Sequence, residues 1–213
     1  MNFKNLTDLV KDAHLYQYAD ISDTEEQIEK KRPKAFFTKA QWIIIVCAIL
    51  INVIIQDGYN KDFCGYVISG LSLFVGIFFT FIIALYDKFS NVDFSKYHYK
   101  NSIENYPLGI KLKNYYKKTT VLSLYLVVLS IICILLLSCT LLFEDHLNKT
   151  INPINVFANI SNNHYLFTLK AIALFVYRSV VFYFLIDFVL ITIYLTASIY
   201  DFIISEYNKV KLK

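Results

Sequence analysis

The sequence predicts an all-α integral membrane protein, a four-helix bundle with both termini in the cytoplasm. Three observations carry that expectation. The chain is 56% hydrophobic and only 18% charged, with mean hydropathy +0.46, where soluble domains hold about 45–50% apolar and about 25% charged residues. Its apolar residues fall into runs that approach the roughly 20 residues a helix needs to cross hydrocarbon. Lysines, finally, gather on alternate connections. At 213 residues, four crossings with short connections use up most of the chain, which implies one membrane domain. Five Gly and three Pro are too few for a flexible linker or a turn-rich barrel, and 18 Phe with 17 Tyr suit membrane interfaces.

Residues 1–34 read as a charged cytoplasmic arm without the apolar h-region of a signal peptide. Within it, Ser22-Asp23-Thr24-Glu25-Glu26 looks like a helix start, with Ser22 as cap and Glu25 three residues on. Pro33 breaks the helix that precedes it. The transmembrane domain spans 35–204. Its first crossing, 35–56, has a short uncharged core from Trp42 to Ile55 and lets Lys39 snorkel to the headgroups. A turn follows at Asp57-Gly58-Tyr59-Asn60. The second crossing, 66–86, is uncharged and has Tyr at both ends, and the third, 119–143, is uncharged throughout. The fourth, 171–200, contains Arg178 and Asp187. No run alternates as a strand does, and unpaired backbone in lipid leaves only helices.

Charge sets the orientation. Lys30, Lys31, Arg32, Lys34 and Lys39 flank the first crossing, and Lys88, Lys96, Lys100, Lys111, Lys113, Lys117 and Lys118 fill the loop 87–118. The tail 205–213 adds Lys209, Lys211 and Lys213. The other two connections carry only Lys61, and Lys149 with Lys170 beside Glu144 and Asp145. The positive-inside rule therefore puts both termini and the 87–118 loop in the cytoplasm.

Asp187 is the most informative position, because a carboxylate at mid-bilayer costs at least about 2.5–3.5 kcal/mol. Ser179, Tyr183, Asp187, Tyr194, Ser198 and Asp201 follow one another along one helical face. That polar face suits either an inter-helix hydrogen bond or a water-filled path, with the bond the simpler reading. Arg178 lies nine residues before Asp187, on the opposite side of the helix, where it would anchor to headgroups or bond Asn52. In the second crossing Ser72, Gly76, Thr80 and Ala84 repeat every four residues, a packing face for a helix of this chain or of a second copy. The loop 87–118 mixes its lysines with Tyr97, Tyr99, Tyr106, Tyr115 and Tyr116. Anionic headgroups explain this surface more simply than direct nucleic-acid binding does.

Cys47, Cys64, Cys133 and Cys139 form no CxxC pair and read as buried small hydrophobes. His14, His98, His146 and His164 lack ligand spacing, so no metal site and no cofactor is expected. No GxSxG, Walker loop, HExxH or HEPN-type Arg–His spacing occurs. The expectation is a protein that is not an enzyme and has no catalytic residues.

Ile68-Ser69-Gly70-Leu71-Ser72-Leu73-Phe74-Val75-Gly76, followed by Leu85-Tyr86-Asp87, resembles a pattern in small multi-pass proteins of bacterial antiviral defence loci. There a crossing of the form ALSIF ends in Tyr-Asp at the cytoplasmic face. The Lys-, Asn- and Ile-rich composition looks like that of an AT-rich Bacteroidetes-type bacterium. In size and crossings the chain is most similar to the membrane accessory proteins of RNA-targeting type VI-B CRISPR systems. The resemblance implies a multi-pass protein of the bacterial inner membrane, a non-enzymatic effector or modulator that works with a cytoplasmic CRISPR nuclease. Such a protein would alter bilayer permeability or dampen interference, and the small-residue face of the second crossing suits oligomerisation. The alternative is a passive membrane-anchoring module that docks a cytoplasmic partner through residues 1–34 and 87–118.

Overall fold

The computed structural model describes residues 3–33, 38–55, 58–97, 106–147 and 165–209. Among these the chain is helical and holds no strand. Helix α1 spans Phe3–Tyr16, α2 Glu25–Lys30, α3 Lys39–Ile54 and α4 Lys61–Ser90. A 3₁₀ turn, Phe94–Tyr97, precedes α5 (Tyr106–Leu142), α6 (Glu144–Leu147) and α7 (Tyr165–Lys209).

Helices α4 and α5, and residues Leu169–Ile204 of α7, are long and apolar enough to cross a membrane. Helices α4 and α7 run past the crossings expected within them at both ends, and α5 at its N-terminal end, because ladder hydrogen bonds continue into polar sequence that water can solvate. Pro107 sits in the first turn of α5, where a missing N–H costs nothing. Helix α3 differs. Its 16 residues rise about 24 Å, short of the roughly 30 Å of hydrocarbon. Residues 35–37 and 56 of the segment expected there lie outside the described residues. So do the loop centre 98–105, residues 148–164, the end of the tail at 210–213, and with them Lys34, Lys100, Lys149, Lys211 and Lys213.

The chain forms two compact units. The first comprises Met1–Thr38, Gly76–Val128 and Leu190–Lys213. Its centre is α5, where Leu122, Leu126 and Val127 are buried together with Thr119 and Ser123. Glycine at 109 lets the 3₁₀ turn approach α5, since a β-carbon there would overlap the Tyr97 side chain. Helix α2 starts two residues later than the sequence suggests. Thr24 is its cap and Gln27 the reciprocal partner, while Ser22 bonds Asp20 through both its backbone N–H and its hydroxyl.

The second unit comprises Lys39–Val75 and Leu129–Val189. Tyr59, Cys64, Leu137 and Val181 form its buried cluster, with Ile68, Leu136 and Phe182 packed around them. Helix α3 turns Gln41, Ile44, Ala48 and Asn52 inward, a three-then-four spacing that keeps one stripe of the helix against its neighbours. Of the four cysteines, all free, only Cys64 and Cys133 are buried; Cys47 and Cys139 are exposed. Both lie on apolar helices, where a membrane would supply the surroundings that the fold does not.

Candidate functional site

The polar face of α7 is divided between the two units, with Ser179, Tyr183 and Asp187 in the second and Tyr194 and Ser198 in the first. In the second unit the Asn52 side-chain amide donates to the Phe175 carbonyl at 2.8 Å and to the Ser179 hydroxyl at 2.9 Å. Ser179 in turn donates to Phe175 O at 2.9 Å. This triangle ties α3 to α7. The Tyr59 hydroxyl donates to the Arg178 carbonyl at 3.0 Å, and the Tyr177 and Thr140 hydroxyls meet at 3.0 Å. Tyr183 is half-buried and packs edge-on to Phe184.

Asp187 and Arg178 are each only 2% exposed. A helix that buries ionisable groups on opposite sides must have neighbours on both. Sequence reasoning placed Arg178 at the headgroups or on Asn52, and the structure does neither. The guanidinium turns inward and Nη2 donates to the Leu147 carbonyl at 2.9 Å. Leu147 is the last residue of α6, and its carbonyl has no partner within the helix. Asn52 instead reaches α7 at Phe175 and Ser179, whose atoms the same helical turn presents.

In the first unit the N-terminal arm is docked rather than free. His14, Leu15, Tyr16 and Ala19 are buried. The His14 ring lies edge-on to Tyr125, and the Tyr194 hydroxyl reaches the Tyr16 carbonyl at 3.4 Å. Asn114 donates to the carbonyls of Ile21 and Asp23 at 3.0 and 2.7 Å, and Lys118 donates to Ala19 O at 3.1 Å. Lys113 pairs with Glu25 at 2.8 Å, which holds that carboxylate below its ordinary pKa. Lys117 lies over the Tyr16 ring, and a hydrogen bond to that tyrosine raises its pKa.

Lysines that sequence reasoning assigned to lipid headgroups therefore also hold the arm. The aromatic residues of that stretch pack too: Tyr115 stacks on Phe202 at 3.5 Å and Tyr116 meets Phe89 edge-on. Tyr99 lies outside the described residues. What sequence reasoning missed were Tyr59, assigned to a turn, and the arm's Ala13–Ala19. The visible signal was four small or apolar residues in a charged segment, at Ala13, Leu15, Tyr16 and Ala19.

Among the described residues, the small-residue face of α4 meets no other helix. Ser72, Gly76, Thr80 and Ala84 are exposed, and a β-carbon at Gly76 would find nothing within 4 Å. The hydroxyls of Ser72 and Thr80 bond their own helix at Ile68 O and Gly76 O. Among the described residues no three His, Cys, Asp or Glu side chains gather as a metal site. Compared with models of known protein families, with curated proteins and with solved structures, the chain matches none.

Proposed function

We propose that this chain is a multi-pass membrane module without enzymatic activity, and that its embedded polar groups hold helices together rather than line a path. The observation behind this reading is the Asn52–Phe175–Ser179 triangle, in which polar side chains of apolar helices are spent on one another. Polar groups in hydrocarbon need such partners, and groups already partnered have little capacity left to hydrate a permeant ion. On this reading α3 also crosses, as the first of four and completed by flanking residues, and both termini with the 87–118 segment lie in the cytoplasm. The bilayer would be that of a bacterial inner membrane, and a cytoplasmic partner would dock on the arm and the basic segment.

A second reading is a permeability effector of antiviral defence, alongside an RNA-targeting nuclease. It draws on the exposed face Ser72, Gly76, Thr80 and Ala84, which a second copy could cover in an oligomer. Leakage of ions or dye separates the two. Cells with matched expression of wild type, Asp187→Asn and Asp187→Leu are expected to leak equally little, with only the Leu variant losing folded protein. Leakage from wild type that Asp187→Asn abolishes would establish a charge-lined path and overturn the module.

A further inference from the structure

The first unit holds an open pocket of about 360 Å³ between the segment joining α1 to α2 and the neighbouring faces of α5 and α7. Asp20, Lys31, Lys118, Tyr194, Ser198 and Asp201 line it. Three of these have unmet chemistry. Lys118 is a buried ammonium, 6% exposed, and no carboxylate lies within ion-pair distance of it among the described residues; the Asp20 carboxylate on the same wall feels its charge from further off and answers it only in part. One of its N–H groups reaches Ala19 O, and the ammonium lies 4.9 Å from the Tyr194 ring centre. At least one N–H group remains to donate. A buried cation is costly unless an anion answers it. Ser198 is 8% exposed, and its hydroxyl forms no hydrogen bond among the described residues. Asp201 is exposed at the rim and makes no ion pair among them.

The cavity thus asks for an anion on its inner side and a cation at its mouth. Lys31 answers only part of this, because its ammonium already pairs with Asp23. Asp20 is likewise committed, its carboxylate held by Ser22 through a backbone N–H and a hydroxyl. We propose that this cavity binds a phosphoethanolamine group, with phosphate on Lys118 and Ser198 and the primary amine on Asp201. A primary ammonium can donate hydrogen bonds to that carboxylate. A quaternary ammonium cannot, and it would seek an aromatic face, but the Tyr194 face is already taken by Lys118. The volume leaves room for a glycerol ester beyond the phosphate. The chemistry is shared by a phospholipid headgroup and by a soluble phosphoethanolamine. Only the lipid source rests on the membrane reading above.

The test uses the full chain in vesicles of phosphatidylcholine alone, or with added phosphatidylethanolamine or phosphatidylglycerol. The readouts are thermal unfolding and lipid retained in native mass spectrometry. Phosphatidylethanolamine should raise the unfolding midpoint above both other mixtures and be retained selectively. Asp201→Asn and Ser198→Ala should each weaken that retention about tenfold, as expected for one charge-assisted hydrogen bond, while unfolding in phosphatidylcholine stays unchanged. Soluble phosphoethanolamine added to phosphatidylcholine vesicles reports the other source: stabilisation there upholds the site and assigns it a free ligand. Equal behaviour in all three lipids with no response to the soluble compound, or selective retention of phosphatidylglycerol, overturns the proposal. Leakage plays no part in these readouts, so the site can fail while the module stands.

Discussion

Helix α4 runs 30 residues and α5 37, both uncharged through their apolar centres. Half of α5's most apolar stretch is nevertheless buried, against 6% of α4's. The difference does not lie in how strongly each avoids water. Lipid tails are as apolar as leucine, so helices in a membrane choose partners by close fit and hydrogen bonds. Along α5 the buried positions include Asn114, Thr119, Ser123, Ser130 and Thr140, and Asn114 bonds the segment between α1 and α2. Along α4 the hydroxyls of Ser72 and Thr80 turn back on their own helix. Small residues let a neighbour approach. They do not by themselves bring one.

The largest expected contrast is a paired truncation. Leu126 in α5 is 0% exposed and Leu73 in α4 is 68% exposed. Leu126→Ala should cost about 2–5 kcal/mol, the range for a cavity left in a packed interior. Leu73→Ala should cost about 0.5 kcal/mol or less. Denaturant titration in detergent micelles measures both. Equal losses would mean that α4 packs against something as closely as α5 does, which a second copy of the chain would explain.

A smaller contrast compares hydrogen bonds that join helices with those that stay within one. Asn52→Leu keeps the volume but removes two donors, to Phe175 O and to Ser179. Ser179 keeps its bond to Phe175 O, so no hydroxyl is stranded and the cost should be about 1–2 kcal/mol. Ser72→Ala removes only a bond to its own helix and should change stability by about 0.5 kcal/mol or less. If Ser72→Ala proves the costlier of the two, the hydroxyl serves a partner beyond the chain.

These contrasts also show what could be read in advance. The three long helices were legible because a run of Leu, Ile, Val and Phe has no other stable home. The inward face of α3 was not, since Asn52 declares itself only when α7 supplies a partner for its amide. Tyr59 was misplaced for a related reason. A tyrosine in Asp57-Gly58-Tyr59-Asn60 reads as part of a turn, and its bond to the Arg178 carbonyl explains why its hydroxyl can be buried. The arm was read as separate because charge dominates its composition. Its docking depends on a few buried residues and on the carbonyls of Ala19, Ile21 and Asp23, which carry no sequence signal.

The last contrast concerns what covers α5 at Tyr125, and its effect is the smallest. His14 of α1 lies edge-on to that ring and is 6% exposed. Burial lowers its pKa below the ordinary 6.5, so the docked arm favours the neutral imidazole. A group whose folded pKa is depressed lends its full stability above the unfolded value and loses it as pH falls through the folded one. Docking of α1 should therefore be constant above about pH 6.5 and weaken below it, while α4, which carries no histidine, should not respond. Hydrogen–deuterium exchange at neutral and mildly acidic pH, corrected for intrinsic rates, reads each helix separately. Faster exchange in α1 at acidic pH, abolished by His14→Gln, is the expected result. An acid response that persists in His14→Gln would assign it to other groups, and equal acceleration in α1 and α4 would mean that the whole fold, not the arm, yields to protons.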